Sequence, residues 1–476
     1  MPTATTSTMP LPIREQPDER PQSRATHAHE DSVDTHTSAP RAVHLMTFGC
    51  AHNQSDSEAM AGNLAAAGHT LVPTTGEAEA VIINSCTVKG PSQERFFAHV
   101  RKLRKEGKHV IVAGCVPAAD PTHAEFATLS VIGVDHVHRA SEAVDLATKG
   151  AIARFDGKGT LPHLGLPKVR MNPRIAIIPI STGCLHACSY CKTKHARGAL
   201  RSHTPEAIIA HAKAAADEGA LELWLTSEDS GAYGKDLRDE NGKPLALPDL
   251  LERLLDELTL HAPDMMVRLG MTNPPYILAH LERMAKILRR PNCYRFLHIP
   301  VQSGSDDVLR AMRRGYTIAE FTRICTTLRA MVPDLTIATD IICGYPTETE
   351  EDFAKTAELA RALRFPILNI SQFYARPGTP AAEIAPLRSQ EVKRRSTEIT
   401  RIFRGYRTLD ALEGTTQAVM ATDTNHDGQR IGHTRSYTQV LLPPETPFGV
   451  HRVRITHVGR LFVRGVVEGG EHPRAR

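Results

Sequence analysis

Gly183-Cys184-Leu185-His186-Ala187-Cys188-Ser189-Tyr190-Cys191 places three thiols at C-x3-C-x2-C spacing. Thiolates are soft ligands that select iron–sulfur clusters or zinc. At this spacing three of them reach three corners of one cubane, and the fourth iron keeps a position that something other than protein can fill. Zinc usually takes four protein ligands, often from two paired knuckles, and no second knuckle follows here; zinc or a disulfide staple is the alternative. Three more cysteines end predicted strands: Cys50 in Thr47-Phe48-Gly49-Cys50, Cys86 in Asn84-Ser85-Cys86 and Cys115 in Ala113-Gly114-Cys115. Carboxyl ends of strands in a doubly wound sheet share one edge, where ligands bind, so these three should meet in space. A buried structural cysteine explains any one of them. Three at equivalent strand ends read as a second three-thiolate cluster, again with an open iron. Cys293, Cys325 and Cys343 lack matching spacing and read as buried thiols.

The elements that must position these groups follow from patterning. Residues 43–49, 80–85, 109–114 and 129–134 read as strands, with helices at 55–67 and 91–106. That order predicts an α/β amino-terminal domain, a doubly wound parallel sheet over 42–150. Residues 151–170, with Gly, Lys, Arg and Pro, read as a linker. Over 171–408, strands at 175–182, 222–227, 265–271, 294–301, 335–343 and 367–373 alternate with helical patterns at 205–217, 247–258, 276–289, 318–331 and 350–363. Six repeats predict a partial (β/α)6 barrel with its site at the carboxyl ends of the strands. Polar groups gather there: Thr226-Ser227-Glu228-Asp229, Thr272-Asn273, His298 with Gln302 and Ser303, Asp340 and Gln372. One such group could cap a helix; their repetition on the face that receives the cysteine loop favours a site. Over 409–471, β-type runs at 416–422, 437–442, 450–456 and 461–467 predict a small antiparallel barrel. It carries Arg452, Arg454, Arg460 and Arg464, after a basic stretch with Lys393, Arg394, Arg395, Arg401, Arg404 and Arg407. Solvated charge accounts for either patch alone; a basic oligonucleotide-sized barrel joined to a catalytic domain points to nucleic acid.

Composition sets limits. The 476 residues are 41% hydrophobic and 23% charged, with a net charge of +4, too mild to demand nucleic acid by itself. No stretch approaches the ~18 apolar residues of a membrane span. Residues 1–41, rich in Pro, Thr, Ser and His, form a predicted disordered tail. Its acids Glu15, Asp18, Glu19, Glu30 and Asp31 make a poor mitochondrial presequence, and it lacks a secretory apolar segment. Nine cysteines without a signal peptide indicate a reducing compartment and metal ligation, with the cytoplasm as the default.

Taken together, Thr47-Phe48-Gly49-Cys50 with Asn53 and Ser55-Asp56-Ser57-Glu58, Asn84-Ser85-Cys86-Thr87-Val88, Ala113-Gly114-Cys115-Val116-Pro117 and the Cys184 loop resemble the radical S-adenosylmethionine (SAM) methylthiotransferases over residues 43–470. The resemblance implies an amino-terminal cluster domain, a radical-SAM barrel and a carboxy-terminal RNA-binding TRAM domain. Tyr190-Cys191-Lys192-Thr193-Lys194-His195-Ala196-Arg197-Gly198, Leu225-Thr226-Ser227-Glu228-Asp229 and Gly270-Met271-Thr272-Asn273-Pro274-Pro275 resemble the archaeal and eukaryotic branch. That branch acts on tRNA bearing N6-threonylcarbamoyladenosine, just 3′ of the anticodon, and installs a methylthio group at C2. Animal members resemble tail-anchored proteins, whereas this sequence shows no apolar run near Gly470-Glu471-His472, so membrane attachment is not expected.

The resemblance implies two [4Fe-4S] clusters, on Cys184, Cys188 and Cys191 and on Cys50, Cys86 and Cys115, with SAM at the first and sulfur delivered from the second. It also implies a reductive electron donor and a sulfur source, neither identified by the sequence. Expected SAM contacts are Tyr190, which could equally be a core aromatic, the strand-end Ser227, Glu228 and Asp229, then Gln302, Ser303 and Gly344. Arg452, Arg454, Arg460 and Arg464 are expected to grip phosphates of the anticodon stem-loop. Competing readings are methylthiolation of isopentenyladenosine or a ribosomal protein, and a non-enzymatic iron–sulfur scaffold that binds RNA.

Overall fold

Ala-Val-Ile-Ile at 80–83 and Val-Ile-Val at 110–112 are unbroken apolar runs, the pattern of strands covered on both faces. In the computed structural model, which describes residues 39–87 and 90–469, they lie at the centre of a six-stranded parallel sheet. Its order from edge to edge is Thr70–Leu71, Ala42–Thr47, Ala80–Ser85, His109–Gly114, Ser130–Ile132, Arg154–Phe155. Helices Ala51–Ala66 and Ala140–Thr148 cover one face through Met60, Leu64 and Val144; helix Gly90–Lys105 covers the other through Phe96, Phe97 and Val100. The sheet is therefore doubly wound. The expected tail lies, as far as residue 38, outside the described residues.

The segment 151–170 supplies the sixth strand and then runs as a strap along helix Ala51–Ala66. The Val169 N–H donates to the Glu58 carbonyl (3.0 Å), and Lys168 Nζ donates to Ser55 Oγ and the Ile177 carbonyl (both 3.2 Å). Gly62 makes this approach possible, because a Cβ there would stand 2.0 Å from the Pro167 carbonyl oxygen.

Six parallel strands follow in sequence order: Ile175–Pro179, Glu222–Thr226, Met266–Leu269, Phe296–His298, Thr336–Cys343 and Ile367–Gln372. They form two three-stranded ladders joined by the backbone pair Met271–His298. Among the described residues no pairing joins first strand to last, so the barrel is open. Alternation turns Leu223 and Leu225 toward the helices and the large core, and Glu222, Trp224 and Thr226 toward the lumen. Helices Ile318–Met331 and Glu350–Leu363 both begin with a capping box, Thr317 with Glu320 and Thr349 with Asp352. The expected helix at 276–289 is two, Pro274–Leu278 and Leu281–Leu288, because His280 between them leaves helical geometry at φ −138°.

The last domain is a closed barrel of Thr416–Thr424, Arg430–Thr434, Gln439–Leu442, Phe462–Val467 and Gly449–Val458. Four of its pairings are antiparallel, and the one between Gln439–Leu442 and Phe462–Val467 is parallel. It docks at the amino-terminal ends of the central strands. Tyr437 stacks on His433 and meets Tyr294 edge-on, Thr422 Oγ1 reaches Glu222 (3.2 Å), and the Arg295 N–H donates to the Arg435 carbonyl (2.8 Å). Among the described residues no helix is long and apolar enough to cross a membrane.

Alanine normally stabilises a helix interior relative to glycine by about 1 kcal/mol. At position 62 the order should invert: Gly62→Ala must displace the strap and should cost about 1–3 kcal/mol, as overpacking does. Denaturant unfolding of the variant checks this; a gain in stability would contradict the packing described.

Candidate active site

Two glycines set the first cysteine trio. Gly49 (φ +127°) and Gly114 (φ +85°) directly precede Cys50 and Cys115. A Cβ on Gly49 would stand 2.6 Å from Cys86 Cβ, and one on Gly114 would stand 2.1 Å from Asn84 Oδ1. Only glycine lets the three strand ends close on one point. That point is Asn53, fully buried. Its Nδ2 donates to Asn84 Oδ1 (3.2 Å) and the Ser85 carbonyl (2.9 Å) and lies 3.9 Å from Cys115 Sγ, while Cys50 Sγ donates to its Oδ1 (3.4 Å). Asn84 Nδ2 donates in turn to the Asn53 carbonyl (2.7 Å) and Ser57 Oγ (2.9 Å). Cys50, Cys86 and Cys115, up to 65 residues apart, thus share one neighbourhood, and Cys50 stays open to the surface.

The second trio lines a cavity of about 420 Å³. Ser189 anchors its loop: the N–H donates to the Met312 carbonyl (3.1 Å), the carbonyl accepts from Ala381 N–H (2.9 Å), and Oγ donates to the Ala311 carbonyl (2.8 Å). Among the described residues no three His, Cys, Asp or Glu side chains close on one point as a single ion requires. Cys184, Cys188 and Cys191 instead border the wider space of this cavity, as ligands of separate irons in a cubane would.

The trios are neighbours. Helix Cys115–Ala119 packs directly on helix Thr193–Arg197, which continues the cysteine loop. Arg197, 3% exposed, reaches Asp56 on the amino-terminal domain (2.6 Å) and Glu228 at the second barrel strand (3.4 Å). Glu228 also accepts from the Gly183 N–H (2.8 Å) and lies 2.8 Å from His52 Nδ1. Burial alone would raise the Glu228 pKa, but His52 and Arg197 outweigh it and hold it at about 2. Arg376, after the sixth strand, donates to the Thr87 carbonyl beside Cys86 and lines the barrel-mouth cavity with Tyr190, the neighbour of Cys191. Arg314 donates to Cys188 Sγ (3.2 Å) and to Asn273 Oδ1, and Asn273 Nδ2 donates to Asp229 Oδ2 (2.7 Å).

This chemistry fits thiolate-bound metal. Burial pushes the Cys115 and Cys184 thiols up to about 12 and raises Cys191 as well, so none ionises unaided at neutral pH. Yet three buried guanidinium groups face them, and the hydrogen bonds of Arg314 go to Cys188, Asn273, Pro300 and Tyr316, none a carboxylate. A buried cation demands a counter-charge, which thiolates held on metal provide. No sequence signal separates such arginines from solvated ones, although Arg376 does follow a barrel strand, where site residues were expected.

The other expected residues divide. Tyr190 and Gln302 line the barrel-mouth cavity of about 580 Å³, with His298, Asp340, Asn369 and Arg376. Gln302 adopts φ 69°, a left-handed conformation rare outside glycine. Asp229 is fully buried, with its pKa pushed up to about 6 by burial against the bonds from Asn273; Ser227 Oγ accepts its N–H (3.0 Å). Four residues are engaged elsewhere. Glu228 is bound in the Arg197 network. Ser303 Oγ lies buried against Thr356 Oγ1 (3.3 Å). Gly344 faces helix Ser389–Gly405, where a Cβ would stand 2.6 Å from Val392. Arg460 caps that helix, donating to the carbonyls of Phe403 (3.2 Å) and Arg404. Arg452, Arg454 and Arg464 do point outward from the small barrel. In the basic stretch, Arg394 and Arg395 pair with Glu391 and Glu350, and Arg407 pairs with Asp410.

An open parallel barrel with a three-cysteine loop at its mouth defines a radical-SAM enzyme, a class that uses SAM with a [4Fe-4S] cluster. Residues 178–360 match the radical SAM superfamily, and residues 42–133 match uncharacterized protein family UPF0004. The structure resembles a radical SAM methyltransferase from Kitasatospora setae (TM-score 0.52, 15% identity, 72% of this chain and 77% of that one), a likeness of fold alone. The chain is 46% identical to a threonylcarbamoyladenosine tRNA methylthiotransferase of Danio rerio (89% of this chain, 78% of that protein) and 44% identical to one of Homo sapiens (90% and 72%). It is 38% identical to a probable one of Pyrococcus abyssi (84% and 93%). It belongs to the threonylcarbamoyladenosine tRNA methylthiotransferase family.

Because the folded pKa of Glu228, about 2, lies below the ordinary value near 4.3, its contribution is complete above pH ~4.3 and is lost as pH falls toward 2. Glu228→Gln should cost about 3 kcal/mol at pH 7, the scale for breaking a buried pair, and should flatten that acid limb. Denaturant unfolding from pH 7 down to the acid limb checks both; an unchanged limb would contradict the pairing.

Proposed function

We propose that this chain converts N6-threonylcarbamoyladenosine, 3′ of a tRNA anticodon, to its 2-methylthio derivative, using two [4Fe-4S] clusters and SAM. The adjacency of the trios Cys50, Cys86, Cys115 and Cys184, Cys188, Cys191 carries this reading, since one trio suffices to cleave SAM and a second cluster with an open iron beside it could deliver the sulfur that methylthiolation adds. The C2 hydrogen of adenine sits on an electron-poor carbon where acid–base catalysis has little purchase, so cofactor chemistry is required. Held by these six cysteines, the clusters would supply, together with SAM, the radical chemistry that activates C2 and the sulfur that joins it.

The protein's part is to bind, orient and exclude water. Asp229 offers a buried carboxyl to the SAM ammonium, positioned by Asn273 and Ser227. Tyr190 and Gln302 border the space where SAM and the target base would meet. Arg452, Arg454 and Arg464 present outward charge to RNA phosphates, and an anticodon-loop base is easier to unstack than one in a duplex.

Cys86→Ala should lower the iron content of the reconstituted chain from about eight to about four, keep SAM cleavage and abolish 2-methylthio nucleoside in digests read by mass spectrometry. Undiminished methylthiolation would overturn the assignment. Arg452→Ala and Arg454→Ala should each reduce the slope of log affinity against log salt for tRNA by about 1; an unchanged slope would remove the small barrel from the RNA interface.

A further inference from the structure

Helix Ser389–Gly405 carries five cations, Lys393, Arg394, Arg395, Arg401 and Arg404, against two acids, Glu391 and Glu398. Both acids are taken. Glu391 pairs with Arg394 (2.6 Å) and Arg395 (2.8 Å), and Glu398 with Arg361 (3.4 Å) and Arg394 (3.6 Å). Lys393, Arg401 and Arg404 are exposed and carry no ion pair among the described residues. With Thr397 between them they stand three and four residues apart, the spacing of one helix face. Lys393 and Arg404 are separated by about 16 Å of helix axis. A groove of about 490 Å³ runs beside Lys393, Thr397 and Arg401. The helix is held at both ends. Near the barrel mouth Val392 packs on Gly344, after the fifth barrel strand, and Gln372 Nε2, at the end of the sixth, donates to Ser396 Oγ (2.9 Å). At the foot, Tyr406 Oη donates to the carbonyl of Phe365, before the sixth strand (3.0 Å), and Arg460 of the small barrel donates to the Arg404 carbonyl. The unpaired cations therefore run from the level of the barrel mouth down to the small barrel.

We propose that this face is a track for the phosphate backbone of the substrate tRNA, along which the anticodon stem lies while its loop enters the barrel mouth. The inference rests on the tRNA reading above and adds a direction to it: loop at Lys393, stem toward Arg404. The small barrel docks at the amino-terminal ends of the central strands, whereas the cavity of Tyr190 and Gln302 opens at their carboxyl ends. An RNA that touches both must pass along the side of the barrel. On this side the path meets cations that no acid neutralises, fixed on a helix that is braced above and below. Such contacts set the register of the RNA without reading its bases. They also release counterions from the phosphates, so their loss is read in the salt dependence of binding.

The test is the binding of tRNA to the reconstituted full chain, followed by fluorescence anisotropy across a salt series. Arg401→Ala combined with Arg404→Ala should reduce the slope of log affinity against log salt by about 2 for a whole tRNA. The same pair should leave the slope unchanged for a loop-only oligonucleotide that ends before the stem. Lys393→Ala should reduce the slope by about 1 for both RNAs. Arg401→Lys combined with Arg404→Lys should keep the original slope, because the track uses charge and not the guanidinium fork. Iron content and denaturant unfolding of each variant should match those of the unaltered chain, which separates a lost contact from a lost fold. An unchanged slope for whole tRNA in the double alanine variant would overturn the proposal. So would an equal loss for the loop-only oligonucleotide, which would mean that the stem does not lie toward Arg404. A chain that shows the expected slopes yet forms no 2-methylthio nucleoside would uphold the track and overturn the functional reading.

Discussion

A guanidinium almost without access to water joins two domains. Arg197 leaves the radical-SAM cysteine loop, pairs with Asp56 of the first domain and Glu228 of the barrel, and lies against Cys115. Burial works against its charge, and these three partners outweigh that cost. Removing one partner from such a set is expensive, whereas the intact set adds little net stability. Its value is geometric: Cys115 belongs to one trio, Glu228 holds the Gly183 N–H beside Cys184, and Asp56 lies on the helix that carries Asn53. The helix that carries Asp56 shows the consequence. His52, Asn53, Ser55, Asp56, Ser57 and Glu58 are all buried, a polar run that only a polar partner surface could bury.

Electrostatics and packing converge on this seam. The strap at 151–170 closes it from one side through Lys168, whose pKa burial lowers to about 8 despite Glu58 and Asp56 nearby. Arg314, bonded to Cys188, and Arg376, near Cys86 and Cys191, add two more buried cations beside the cysteines. The small barrel sits at the opposite end of the central strands, where Glu222 gathers Trp224, Tyr294 and Thr422. Its outward arginines are thus carried on a rigid mount and leave the barrel mouth open.

Much of this was legible in the sequence where local physics decides. Helices 205–217, 318–331 and 350–363 and strands 80–85 and 109–114 match the residues read from sequence, because Pro205, Thr317 and Thr349 mark helix starts and the strands are apolar throughout. The meeting of Cys50, Cys86 and Cys115 followed from sheet topology. Strand Arg430–Thr434 escaped because Gly432 breaks its pattern; a Cβ there would stand 2.6 Å from Val419, a demand of barrel closure alone. Strand Arg154–Phe155 is too short to show a period. Glu228, Ser303, Gly344 and Arg460 sit where ligand contacts were expected, yet their partners come from remote segments. Arg314 and Arg376 resemble surface arginines until the fold buries them.

The central claim is that two metal centres adjoin across the Arg197 seam. Electron paramagnetic resonance of the anaerobically reconstituted, reduced chain tests it directly. The account predicts a spectrum of two paramagnets in magnetic contact, with broadening or splitting that collapses to one simple signal when Cys115 is replaced by alanine. Two sharp, non-interacting signals, or a single centre in the unaltered chain, would contradict it.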